Sequence, residues 1–179
     1  LVSFVKGLDP TRPVTAGCNE PNSGNHLFRS GVLDVIGYNY HNKDIPNVPA
    51  NFPDKPFIIT ESNSALMTRG YYRMPSDRMF IWPERWDKSF ADSTFACSSY
   101  ENCHVPWGNT HEESLKLVRD NDFISGQYVW TGFDYIGEPT PYGWPARSSY
   151  FGIVDLAGFP KDVYYLYQSE WTDKQMLHL

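Results

Sequence analysis

Four short apolar runs place the strongest constraint on what this chain can fold into. They span residues 14–16, 32–40, 56–62 and 126–135, and all are rich in β-forming side chains. Runs this short and this apolar are typical of strands buried on both faces, the pattern of a parallel sheet. The sequence therefore predicts four buried strands.

Between these runs the apolar spacing changes to that of helices. Helical spacing runs through residues 1–8, and residues 22–30 are a weaker candidate. The strongest candidate is 110–124, and a last helix is predicted to begin with Pro160 near its first turn. Strands that alternate with helices predict an α/β fold with a parallel sheet.

Composition excludes several classes of partner. The 179 residues carry 15 Lys and Arg against 21 Asp and Glu, a net charge of −6, without a basic run. Nucleic acid and anionic membranes are therefore not expected partners, and no segment reaches the roughly 20 apolar residues of a membrane helix. The spacing of cysteine and histidine predicts no metal site, and no Gly-rich loop predicts a cofactor. Cys97 and Cys103 lie close enough to pair across a loop, but nothing in the sequence requires a disulfide.

Polar and aromatic side chains stand where the predicted strands end, and in a (β/α) barrel such ends meet at one mouth. The residues concerned are Asn19, Glu20, Asn39, Tyr40, Glu61, Trp130, Asp134 and Glu138. Carboxylates, amides and flat aromatic rings, taken together, are typical of a sugar-binding site. Aromatic residues make up 16% of the chain, although so dense a set also serves as core.

Glu61 is the most informative of these residues. It follows the run FIIT directly, and residues 63–109, which fit neither helix nor strand well, come next. An insertion of that length is usually functional, so we interpret Glu61 as a side chain held at the mouth of a site. The alternative, that Glu61 is simply the first solvated residue after a strand, stays open at this point.

Five long motifs cover essentially the whole chain: LDPTRPVTAG, LDVIGYNYH, PFIITESNSA, GQYVWTGFDYIGEPTPY and WPARSSYFGIVDLAGFPKDVYYLYQSEW. In order and spacing they resemble glycoside hydrolase family 2, the β-galactosidase family, and among its members those of Bacteroides-type gut bacteria. The resemblance implies a (β/α)8 TIM barrel, of which residues 1–179 would be the C-terminal half, strands five to eight. It also implies a retaining glycosidase that acts on a small-molecule or oligosaccharide β-galactoside.

The resemblance assigns roles to individual residues. Glu61 stands where the family keeps its nucleophile, Tyr40 where a tyrosine supports that carboxylate, and Trp130 where a tryptophan stacks on the sugar. Asn39 and Glu138 are the other expected substrate ligands. A nucleophilic carboxylate must stay ionised, and this agrees with a hydrogen-bond donor beside it.

Purely structural roles for some of these residues stay open. Tyr40 could be a core tyrosine with a satisfied hydroxyl, and Trp130 could be barrel packing. Asp134 and Glu138 could close a loop or pair with an Arg.

A retaining mechanism also needs a second carboxyl group, about 5–5.5 Å from the nucleophile. In the family this acid/base follows an Asn at the end of strand four. Asn19-Glu20 has that form, but only one predicted strand separates it from Glu61, where two are expected. Glu20 is therefore assigned to the end of strand five, and we expect the true acid/base upstream of Leu1.

We expect the chain to be a fragment, a partial catalytic domain without the upstream half-barrel and the flanking β-sandwich domains. The isolated chain is expected to be inactive because it lacks the acid/base. Because four strands cannot close a barrel, it is also expected to expose edges through which it could self-associate. The alternative is a non-catalytic carbohydrate-binding or interaction module derived from the same barrel. Both the bacterial periplasm and the cytoplasm fit the parent protein.

Two departures from the family pattern bear on the substrate and on metals. Ser64 stands where one branch has His, and Phe151 stands where that branch has a sodium-coordinating Asn, so no sodium requirement is predicted. The Asn-x-Lys signature of β-glucuronidases is absent from the strand-eight loops, which disfavours a uronic acid substrate.

Overall fold

The computed structural model describes residues 1–85, 87 and 94–178. The chain divides into two compact units. The first comprises residues 1–62 and 113–129, and the second comprises residues 63–112 and 130–179.

The first unit is built on a three-stranded sheet, in which the second of the three strands along the chain lies between the other two. The strands are β1, Ile36–Asn39, β2, Phe57–Asn63, and β5, Ile124–Trp130. Strands β1 and β2 run parallel, which confirms an α/β fold with parallel pairing. Their register is regular as far as Tyr38, which lies opposite Ile59, and then slips so that Asn39 lies opposite Glu61.

The apolar runs 32–40 and 56–62 supply much of the core of this first unit, as their continuous hydrophobicity predicts, whereas β5 is not buried on both faces, since Tyr128 is 64% exposed. Tyr38 and Ile59 are fully buried, and the rings of Tyr38 and Phe57 meet edge to face at 5.1 Å. The other buried members of the cluster are Cys18, Phe28, Leu33, Ile36, Ile45, Val48 and Ile124.

One predicted strand is absent. Residues 14–16 belong to the described part of the chain and form no strand. The segment is bonded near its two ends instead, because the carbonyl of Val14 accepts from the amides of Asp34 and Val35, and the carbonyl of Cys18 accepts from the amide of Asn39 at 2.9 Å. Between these bonds only the side chain of Thr15 donates to the carbonyl of Val35, at 3.0 Å, so no regular backbone ladder develops, and the sheet has one strand fewer than predicted.

The predicted helices are found in place, but some are shorter than predicted, and a short helical segment after β1 was not predicted. Helix α1 spans Val2–Leu8. The weak candidate 22–30 forms only the single-turn helix α2, His26–Arg29. A 3-10 turn at Ile45–Asn47 leads directly into helix α3, Val48–Asn51. Among the described residues, no helix combines the length and the apolar character that crossing a membrane requires.

Helix α4, His111–Arg119, ends earlier than the predicted 110–124. The side chain of Asn121 donates to the carbonyl of Leu117 at 2.8 Å and so caps the helix end, after which the amide of Ile124 closes a turn onto Asn121. Ile124 therefore begins β5 rather than ending the helix.

The second unit contains a short parallel pair, β3, Phe80–Ile81, with β4, Cys103–His104, and helix α5, Asp162–Trp171. Its buried core is Leu66, Cys97, Cys103, Val105, Tyr142 and Phe151. Most of residues 63–109 thus contribute to a packed unit, while positions 86 and 88–93 of this predicted insertion lie outside the described residues. All three cysteines are buried free thiols, so Cys97 and Cys103 do not form the disulfide that the sequence left open.

Strand β5 begins and ends earlier than the predicted run 126–135. It stops at Trp130, and the peptide bond from Trp130 to Thr131 is cis. Beyond that point the backbone pairs elsewhere, since the amide of Asp134 donates to the carbonyl of Val154 at 2.9 Å. This pairing competes with extension of β5 and explains the shorter strand.

Candidate active site

Glu61 lies within β2, two residues before the strand ends, and its side chain is half-buried. Phe57 and Ile59, which precede it at alternate positions, are buried in the core of the first unit. The strand therefore anchors its apolar half in the core and carries the carboxylate at its C-terminal end, where side chains of parallel α/β sheets form sites.

Tyr40 binds Glu61 twice. Its hydroxyl donates to Glu61 Oε2 at 2.8 Å, and its backbone amide donates to the Glu61 carbonyl at 2.6 Å. Tyr40 and His41 both have positive φ values, 56° and 59°, so the chain turns sharply where β1 ends and brings the phenol back to the carboxylate. The Tyr40 hydroxyl therefore has a hydrogen-bond partner, as the alternative of a purely structural core tyrosine requires. That partner, however, is the candidate nucleophile itself.

Asn39 lies opposite Glu61 in the ladder and is oriented by its neighbour. The hydroxyl of Thr60 donates to Asn39 Oδ1 at 2.7 Å. A Cβ added to Gly17 would lie 2.7 Å from the same oxygen, so a larger residue at that position would displace the amide. Among the described residues the Asn39 amide NH2 makes no hydrogen bond, which leaves two donors for a sugar hydroxyl.

Trp130 belongs to the second unit and is half-buried. Its ring meets Tyr135 edge to face at 6.0 Å, and its carbonyl accepts from the amide of Ser64 at 3.3 Å. The ring is therefore held by packing on one side without being enclosed. Both roles expected from the sequence, packing and sugar stacking, fit this partial burial.

Glu138 also belongs to the second unit and is exposed. Among the described residues its carboxylate makes no hydrogen bond or ion pair, and neither loop closure nor an Arg partner is observed. The adjacent Gly137 amide donates to the Arg147 carbonyl at 3.0 Å, so the backbone at this position is fixed although the side chain is not.

Asp134 has a different partner from the Arg considered from the sequence. Its Oδ2 forms an ion pair with Lys161 Nζ at 2.7 Å, and its Oδ1 accepts from the amide of Gly152 at 2.8 Å. Lys161 is 1% exposed and also donates to the carbonyls of Met67, at 2.8 Å, and Tyr150, at 3.2 Å. Asp134 is thus a buried structural carboxylate, and an Arg partner for it was wrong.

Burial dominates the electrostatics of this pair. It raises the pKa of the Asp134 carboxyl, against the opposing effect of Lys161, and it lowers the pKa of Lys161, against the effect of Asp134. Nothing in the sequence signalled the buried position of this lysine, which directly precedes α5.

Glu20 is exposed, and its carboxylate accepts from the Asn25 side-chain amide at 3.4 Å. Its exclusion as the acid/base stays a prediction. In the described part of the chain, no group of three or more His, Cys, Asp or Glu side chains is arranged to hold a metal ion.

Comparisons with known proteins were made at the level of family, sequence and structure. No family model matches the sequence. The chain is 99% identical over all of its 179 residues to a β-galactosidase of Bacteroides ovatus, BoGH2A, of which it covers 21%. It is 23% identical to a β-glucuronidase of Bacteroides fragilis, again over the whole chain and over 24% of that protein.

Solved structures of glycosidases share the fold of this chain. The crystal structure of a β-glycosidase from Bacteroides vulgatus matches 99% of this chain, and 24% of its own length, with a TM-score of 0.78 at 30% identity. A family 2 glycosyl hydrolase from Bacteroides cellulosilyticus matches 96% of the chain, and 18% of its own length, with a TM-score of 0.58 at 26% identity. Over its whole length the chain is therefore similar to proteins of glycoside hydrolase family 2, and it spans about a fifth of the length of the curated relatives it matches.

Proposed function

We propose that a full-length protein carrying this segment is a retaining β-galactosidase with Glu61 as its nucleophile. The segment supplies the C-terminal half of the catalytic (β/α)8 barrel, strands five to eight. The observation that carries the proposal is the 2.8 Å hydrogen bond from the Tyr40 hydroxyl to Glu61, at the C-terminal end of a parallel strand pair. The name of the Bacteroides ovatus relative supports a β-galactoside as the substrate.

The geometry around Glu61 suits nucleophilic attack on an anomeric carbon. The Tyr40 hydroxyl occupies one oxygen of the carboxylate, Oε2, with its hydrogen bond. The other oxygen can attack the sugar and form the glycosyl-enzyme that water later hydrolyses. In this proposal a second carboxyl group protonates the leaving oxygen, and it comes from the part of the protein that precedes this segment.

Three residues are proposed to bind the sugar. Asn39 offers the two hydrogens of its amide to hydroxyls, and Trp130 offers part of its ring face to the apolar side of a pyranose. Glu138 carries an exposed carboxylate that can accept from hydroxyls. A galactoside is preferred to a glucuronide, because the chain lacks the Asn-x-Lys signature expected to bind a uronic acid.

The test uses the full-length protein, nitrophenyl β-galactoside and a mechanism-based 2-fluoro galactoside. Glu61→Gln should lower turnover by several orders of magnitude, because the attacking group is lost. The 2-fluoro sugar should label Glu61 in the wild-type protein. Glu20→Gln is the matched control, a glutamate of the same unit that should keep near-wild-type turnover.

Several outcomes contradict the proposal. Labelling of Glu20 or Glu138 would reassign the nucleophile. Rescue of Glu20→Ala by azide would mean that Glu20 is the acid/base and that the strand count is wrong. Sugar binding without turnover in the wild-type protein would favour the non-catalytic module, and turnover of nitrophenyl β-glucuronide above that of the galactoside would overturn the substrate.

A further inference from the structure

The turn that follows Glu61 has an unusual backbone. Asn63 ends β2 with a φ of 79°, and Ser64 follows with a φ of 56°. Left-handed conformations cost roughly 1–2 kcal/mol for a residue with a Cβ, so two in succession persist only where the surroundings determine them. The pairing of β1 with β2 cannot do this alone, because its register slips between Tyr38 and Asn39, just where Glu61 is reached.

Asn63 is held through its main chain and through both ends of its side chain. Its carbonyl accepts from the amide of Asn109 at 2.8 Å, and its Nδ2 donates to the carbonyl of Thr110 at 3.1 Å. Since Nδ2 faces a carbonyl, Oδ1 must be the other end of the amide, and it accepts from the hydroxyl of Tyr167 at 3.4 Å. Asn63 is completely buried.

Tyr167 is in turn fixed by His111. The Tyr167 oxygen lies 2.8 Å from His111 Nδ1, and the two rings meet edge to face at 5.4 Å. Because the Tyr167 hydroxyl donates to Asn63, it must accept from His111, which puts the imidazole proton on Nδ1. His111 is fully buried and its Nε2 has no hydrogen-bond partner among the described residues.

The backbone around the turn is packed as closely as its side chains. The amide of Ser64 donates to the carbonyl of Trp130, and the carbonyl of Ser64 accepts from the amide of Val105, both at 3.3 Å. A Cβ added to Gly108 would lie 2.3 Å from the Asn63 carbonyl oxygen, so only glycine fits there. The turn is therefore tied to the backbone of the candidate sugar-stacking residue as well.

We propose that Asn63, Tyr167 and His111 form a positioning network, which holds the end of β2 in the orientation that Glu61 needs for attack. The inference rests on the proposed function, since it concerns the same carboxylate. Residues 61 and 63 of a strand share one face, so a change in the backbone at Asn63 redirects the Glu61 side chain. Tyr167 and His111 are positioning residues and touch neither Glu61 nor Tyr40 in the described contacts.

The alternative is that the network is ordinary core, whose loss would lower stability and leave the chemistry of folded molecules unchanged. The two readings differ in the rate constant of the covalent step. A misplaced nucleophile slows attack in every folded molecule, whereas a destabilised core removes molecules from the active population. The amplitude of covalent labelling counts competent molecules, and its rate constant measures attack in each of them.

The experiment therefore follows labelling of the full-length protein by the 2-fluoro galactoside, with intact-mass detection and peptide mapping. Tyr167→Phe removes only the hydroxyl of the network. Asn63→Gly accepts the positive φ without strain but removes both side-chain hydrogen bonds. Tyr165→Phe is the control on the same helix, because the Tyr165 hydroxyl makes no hydrogen bond among the described residues and its ring stacks on His178.

We expect Tyr167→Phe and Asn63→Gly to label roughly 10- to 100-fold more slowly, with about one label per folded chain and the label on Glu61. The KM for nitrophenyl β-galactoside should change less than kcat, and Tyr165→Phe should match the wild type. An unchanged rate constant in either variant, with or without a lower amplitude, overturns this inference alone. A label on another residue in the wild type overturns the proposed function, and this inference with it.

Discussion

The buried pair of Asp134 and Lys161 gives a prediction whose size can be worked from the structure. The two charges lie 2.7 Å apart with side-chain exposures of 9% and 1%. At an effective dielectric constant of about 20, their attraction is roughly 6 kcal/mol, most of which only replaces lost hydration. Asp134→Asn leaves the ammonium buried beside two carbonyls but without a counter-charge, and should destabilise the second unit by about 3–5 kcal/mol.

The two single variants should respond to pH in opposite directions. In Asp134→Asn, burial lowers the pKa of Lys161 below that of the unfolded chain, so the unfolded state binds more protons and stability rises as pH rises. In Lys161→Met, burial raises the pKa of Asp134, so the folded state binds more protons and stability rises as pH falls toward the unfolded value of 3.8. The double variant buries no charge and should be more stable than the sum of the two losses predicts, by about 1–3 kcal/mol.

The assay is hydrogen exchange of the full-length protein, read by mass spectrometry in peptides that cover α5 and corrected for the chemical exchange rate at each pH. Arg69→Met is the control, since Arg69 pairs with Asp155 at 2.5 Å but is 46% exposed, and its loss should cost about 0–1 kcal/mol. Equal pH responses of the two single variants, or strictly additive losses in the double variant, would refute the reasoning.

Further predictions concern His111 and two tyrosines, Tyr38 in β1 and Tyr40 directly after it. Burial, aided by the charge of Lys161, lowers the pKa of His111 from 6.5 to about 3, so stability should fall as pH falls below about 6.5, by roughly 2 kcal/mol between pH 7 and pH 5. His111→Asn keeps a donor and should remove this component in denaturant melts, whereas Asn at the exposed His26 should not. Tyr40→Phe should lower kcat by roughly 10- to 150-fold, the value of a hydrogen bond to a charged group. Tyr38→Phe, which deletes a buried hydroxyl without a partner among the described residues, should leave kcat unchanged; equal losses in both variants would contradict the role of Tyr40.

Much of the arrangement around Glu61 could be predicted from the residues themselves. The apolar runs give β1, β2 and β5 because short runs rich in β-forming side chains favour strands of a sheet, although β5 is less buried than its run suggests. The position of Glu61 at the end of such a run, with Tyr40 at the end of another, is local information. Parallel pairing then brings the two ends together, and the hydrogen bond between them follows.

Other features could not be predicted because they depend on partners far apart in the chain. Residues 14–16 have the composition of a strand, yet neighbours in space bond its backbone only near the ends of the segment. Strand β5 stops at Trp130 because the backbone that follows pairs with Val154.

The sequence by itself determined the place of β1, β2 and β5 and which carboxylate stands at the end of β2, since both depend on the order of apolar and polar residues. Only the tertiary structure decided that Asp134 pairs with Lys161 rather than with an Arg, and that Tyr167 meets Asn63, 104 positions away in the chain. A buried polar group must find a partner wherever the fold provides one. The choice is therefore made by packing in three dimensions, about which the local sequence holds no information.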